Sequence, residues 1–97
     1  MEKYSSKSID ETRKMVLPLE LRGEIGLKDG DTVVLQKIRN MVVMYPSKEN
    51  PSENSYLLTI DQLGRLEFPA ELMQDMGWEI KGWIAIYYAD DGTVILK

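Results

Sequence analysis

The 97-residue sequence predicts a mainly β fold with short helices, built from two β-α-β-β units that close one shared core. Three observations carry that expectation. The second half of the chain repeats the first. Each half contains an apolar-X-apolar-Pro step followed by a short amphipathic segment. Each half then ends on two β-rich runs separated by a turn dipeptide.

The repeat emerges when IDETRKMVLPLELRGEIGL (9–27) is laid over IDQLGRLEFPAELMQDMGW (60–78), an offset of 51. Ile9 falls on Ile60, Asp10 on Asp61, Lys14 on Arg65, Pro18 on Pro69, Glu20 on Glu71, Leu21 on Leu72 and Gly26 on Gly77. One inserted residue then moves the offset to 52, which sets Gly30 against Gly82, Asn40 against Gly92, and MVVM (41–44) against TVIL (93–96). The expected organisation is a first repeat at 1–45, a polar, proline-punctuated linker at 46–55, and a second repeat at 56–97, the two repeats sharing one compact domain.

In chain order, Lys14–Leu17 and Arg65–Phe68 read as short strands, each closed by a proline. Pro18 and Pro69 suit the first helical position, where a missing N–H costs nothing. Leu21 with Ile25, and Leu72 with Met76, stand four apart and give each helix one apolar stripe. Gly26 and Gly77 follow as left-handed stops. Thr32–Ile38 and Trp83–Ala89 are rich in β-formers, and turns at Arg39-Asn40 and Asp91-Gly92 lead to Met41–Tyr45 and Thr93–Leu96. Alternation sends Trp83, Ala85 and Tyr87 to one side of their strand and Ile84, Ile86 and Tyr88 to the other, so at least one side is expected to be core. A hairpin and a two-turn helix cannot close a core alone, but two such units can, by pairing strands about a pseudo-twofold axis.

Composition narrows the function classes. Cysteine and histidine are both absent, which removes disulfides, thiolate metal sites and the commonest general base. No cofactor or metal is expected, and no enzyme, since no carboxylate pair stands in a catalytic setting. Asp29-Gly30-Asp31 and Asp90-Asp91-Gly92 lack the spaced ligand series of a calcium loop and read as turns. The polar N-terminus offers no signal-peptide core, and a cytoplasmic protein is expected. The net charge of −4 is uneven: residues 1–50 hold nine Lys/Arg and eight Asp/Glu, residues 51–97 three and eight.

Residues 59–97, with an acidic residue, the Gly64-Arg65 pair, an apolar-X-apolar-Pro step, a Glu-Leu helix start and a closing hairpin, resemble the AbrB/SpoVT/MazE-type swapped-hairpin (looped-hinge) family. Residues 9–45 resemble a more drifted copy, with Arg13-Lys14 where Gly64-Arg65 stands. The resemblance implies a swapped-hairpin barrel formed as an intrachain pseudo-dimer. It also implies a DNA-binding transcriptional regulator gripping duplex DNA with Lys7, Arg13, Lys14, Arg22 and Arg65. The first copy keeps three of the family's basic positions and the second only Arg65, with Leu58 and Met73 at the others, which implies DNA contact mainly from the first repeat. The Asp10–Lys14 and Asp61–Arg65 spacings also fit a structural role, fixing the loop that presents each cation. A protein-interaction or antitoxin-like module, its acidic second repeat docking a basic protein, is the alternative. The expected partners are thus double-stranded DNA, a second pseudo-dimer or a protein, and no membrane.

Overall fold

A computed structural model describes residues 2–49, 52–89 and 91–97. The chain runs β1 (Glu2–Ser8), β2 (Lys14–Val16), α1 (Leu19–Glu24), β3 (Thr32–Ile38), β4 (Met41–Pro46), β5 (Ser55–Thr59), β6 (Arg65–Glu67), α2 (Ala70–Met76), β7 (Trp83–Tyr88) and β8 (Val94–Leu96). The fold is mainly β, as expected. The helices begin one residue later than the sequence reading places them. Pro18 and Pro69 keep extended ψ values of 139°, and their carbonyls accept the first helical bonds, from Arg22 and Met73.

Six strands form an antiparallel sheet in the order β1-β7-β8-β4-β3-β5, and β2 pairs with β6 in a separate two-stranded ribbon. β1, from the first half, pairs with β7, while β5, from the second half, pairs with β3. The central pair, β4 with β8, and the ribbon also join the two halves. The described loop hydrogen bonds repeat in the same crossed manner: Gly30 N–H donates to the Ile60 carbonyl and Lys81 N–H to the Ile9 carbonyl.

One face of the sheet meets both helices and the ribbon. Val33, Leu35, Val42, Met44, Ile84, Ile86, Val94 and Leu96 point to that face and are buried with Met15, Leu17, Leu21, Leu66, Phe68 and Leu72 in a single cluster. Met15 and Leu66 oppose each other in the ribbon and both point inward, so the ribbon acts as a lid on the core. Trp78 packs on Phe68 with ring centroids 5.1 Å apart.

Three expectations are corrected. The sheet is open: β1 and β5 are its edges, and the ribbon strands, three residues each, pair with one another instead of bridging those edges to close a barrel. Strands β1 and β5 precede the elements read from the sequence, so Lys7, seven residues before the first strand read there, lies within β1 opposite Ile84. The inserted residue is also displaced. Gly30 (φ 82°) is matched by Lys81 (φ 68°), not Gly82, because these two share the left-handed conformation and the crossed hydrogen bond. The offset of 51 persists through β3 and β7, and the extra residue falls in the β7–β8 turn. Asp90 of that turn, and Asn50 and Pro51 of the linker, lie outside the described residues.

Candidate nucleic-acid interface

The ribbon places cations from both halves side by side. Lys14 stands opposite Glu67 and Val16 opposite Arg65, and residues directly opposed in an antiparallel pair share a face. Because Met15 and Leu66 take the inner face, Lys14, Val16, Arg65 and Glu67 take the outer one. The burial of two apolar side chains therefore aims the charged ones outward.

Each ribbon strand is entered through a loop fastened by an aspartate. The Asp10 carboxylate accepts hydrogen bonds from Thr12 N–H (2.8 Å), Thr12 Oγ1 (2.7 Å) and Lys14 N–H (3.0 Å). The Asp61 carboxylate accepts from Leu63 N–H and Arg65 N–H (both 2.9 Å) and from Arg65 Nε (2.8 Å). In both, the backbone N–H four residues on is the chief influence holding the carboxyl below its ordinary value. Asp-to-basic spacing in the sequence is thus a loop clasp in the fold. The loops differ at one position: Gly64 has φ 77°, and Arg13, its counterpart, takes the same left-handed conformation at φ 65°.

The cations are held as well as presented. Arg13 Nε donates to the Phe68 carbonyl at 3.1 Å and its guanidinium lies 3.5 Å from Glu67. Lys14 Nζ is 3.9 Å from the same carboxylate. Arg65 pairs with Asp61 and reaches Asp10 across the ribbon at 3.8 Å. Arg22 Nε donates to the Leu17 carbonyl at 3.1 Å, and its guanidinium lies so close over Gly64 that a Cβ there would collide with it. Four cations (Arg13, Lys14, Arg22, Arg65) therefore meet three carboxylates (Asp10, Asp61, Glu67), and the cluster is only slightly positive.

Lys7 does not join this cluster. It lines a shallow groove with Tyr4, Pro18, Leu19 and Glu20 on the β1 side. The sequence reading also missed Glu67, which neutralises part of the cluster, and two exposed apolar residues, Leu63 (65% exposed) and Leu19 (74% exposed), the latter in the groove with Lys7. Glu67 becomes visible only once β2 is paired with β6 in register, which sequence spacing alone does not give. Asp31, read as a turn residue, accepts from Lys28 N–H at 2.8 Å, and Asp91 from Thr93 N–H at 2.9 Å. Among the described residues no cluster of three or more His, Cys, Asp or Glu side chains is arranged to hold a metal. Among them, too, no helix is long and apolar enough to cross a membrane.

Comparison with protein families gives no matching family model, and comparison with curated proteins gives no match. Among solved structures, the solution structure of PHS018 from Pyrococcus horikoshii is similar over 98% of this chain and 87% of that one, with a TM-score of 0.59 and 20% identity. At that identity the likeness is one of fold.

Proposed function

We propose that this chain is a DNA-binding transcriptional regulator of the AbrB/SpoVT type, folded as its own pseudo-dimer by exchange of strands between its two repeats. The observation that carries the reading is the convergence of Arg13, Lys14, Arg22 and Arg65 about the β2–β6 ribbon, where the two halves meet. Phosphates on a duplex are the natural counter-charge for guanidinium and ammonium groups held on a rigid ribbon. Lys7 lies apart and is assigned a peripheral contact. The carboxylates among the cations make affinity modest and hold its salt slope below that of four free cations, with shape contributing to site choice.

The test is a fluorescence titration of duplex DNA carrying promoter-like sequences at about 50 mM salt. Binding at micromolar protein, with Lys14→Gln and Arg22→Gln together lowering the salt slope by about two, is the expected result. No binding at that salt defeats the proposal.

A protein-docking role, antitoxin-like in kind, is favoured by one observation: Glu67, Asp10 and Asp61 already neutralise most of the ribbon's positive charge. In that reading the acidic second repeat engages a basic protein. Capture of one stoichiometric basic partner by the full chain, together with silence in the DNA titration, would select it.

A further inference from the structure

The sheet has a second face, and neither the core nor the ribbon uses it. Along β7, Ile84 and Ile86 point into the core, so Trp83, Ala85 and Tyr87 point away from it. The pairings carry that outward row across the sheet: Tyr87 stands beside Ile95, Ile95 beside Val43, and Val43 beside Gln36. Ile38 and Met41 continue it at one end. These outward residues are absent from the buried cluster, and Trp83 is 71% exposed, Ile38 and Tyr45 each 39%. Antiparallel sheets with one wet face alternate apolar and polar residues; strands apolar on both sides are those covered on both sides.

We propose that this outward face, centred on the β4–β8 pair, docks a second copy of the chain, the two sheets packing face to face as a β-sandwich. Charge selects that occupant. The chain contains sixteen Asp and Glu, with a net charge of −4, yet no outward strand position holds a carboxylate. The net negative charge makes two copies repel overall, and a face without carboxylates adds nothing to that repulsion. A basic protein finds no counter-charge on the face. A single-stranded nucleic acid finds only Lys3 and Lys97, the latter held 5.0 Å over the Tyr87 ring. Area agrees. Six strands about 4.8 Å apart and three outward rows about 7 Å apart make a face of roughly 500 Å². Two such faces bury about 1,000 Å², close to the lower bound for a specific interface. The dimer is therefore reversible, and aligned sheets of this kind pack at about −30°.

Sedimentation velocity of the full chain from about 10 to about 200 µM reads the proposal directly. The expected mass rises with concentration from 11.2 kDa toward twice that value. Ile95→Lys and, separately, Trp83→Lys are expected to raise the dimer dissociation constant at least about tenfold, by desolvating a charge in the joint, with circular dichroism unchanged. Trp83, being so exposed, makes the second variant safe for folding. A monomer at every concentration overturns the proposal. So does a dimer that both variants form as readily as the parent, or an unaltered monomer that binds oligo(dT) through Trp83. The result is independent of the duplex-DNA titration, which reads the opposite side of the molecule.

Discussion

Lys81 and Gly30 occupy equivalent left-handed positions, and only one of them is a glycine. A non-glycine residue there costs about 1 kcal/mol or more, and the Lys81 ammonium has only Glu11, 3.4 Å away with both side chains about three-quarters exposed, to offset it. Lys81→Gly is therefore expected to stabilise the fold by about 0.5–1 kcal/mol in urea unfolding, and Gly30→Lys to destabilise it by a similar amount. The loop aspartates give a second residue-scale expectation. The Asp10 and Asp61 carboxyls are held down in the folded chain by backbone N–H groups. A depressed folded value means the ionised form stabilises the fold above about pH 4, the ordinary carboxylate value, and that contribution is lost as pH falls through the folded value. Unfolding midpoints measured from pH 7 down to about 2.5 should fall steeply for the parent and less steeply for Asp10→Asn/Asp61→Asn. An unchanged slope would mean that the clasps do not distinguish folded from unfolded chains.

The ribbon is the element where structure and proposed function meet. Glu67 faces Lys14 and lies within ion-pair distance of both Lys14 and Arg13, so Glu67→Gln leaves two cations without that partner. Affinity for duplex DNA is expected to rise several-fold, with a steeper salt dependence, rather than fall. A fluorescence titration in which the variant binds no better than the parent would place the contact elsewhere. Other elements show how far sequence reaches. β3, β4, β7 and β8 were legible because Thr32–Ile38, Met41–Tyr45 and Trp83–Ala89 carry dense β-formers next to turn residues. β1 was not, since Glu2–Ser8 is polar and its Tyr4 is a lone apolar anchor. β5 was obscured by the neighbouring linker residues, although Tyr56 and Leu58 pack on the core. An edge strand draws its conformation from its partner, and β7 and β3 are distant in sequence from β1 and β5.

For the whole molecule, the repeat pointed to two similar stretches but not to how they would join. Barrel closure depends on whether a three-residue ribbon strand reaches a sheet edge, which no local pattern encodes. Gly30 and Gly82 looked equivalent because sequence alignment rewards identity; backbone conformation pairs Gly30 with Lys81 instead. Four of the five cations singled out in the sequence gather about the ribbon and Lys7 stands apart, while the pairing of Arg13 and Lys14 with Glu67 was hidden in the register of β2 with β6. Every pairing except β3–β4 and β7–β8 joins one half of the chain to the other, so the halves should unfold in a single transition.

Cutting the chain between β4 and β5 tests that crossing most directly. A protease site placed within residues 47–54 would be cleaved in the folded protein, and the product's mass read by light scattering during size exclusion in native buffer and in urea. Two fragments travelling together at the mass of the intact chain, and separating only as both lose their circular dichroism, are expected. Two fragments that part in native buffer with each still folded would contradict the exchange of strands between the halves.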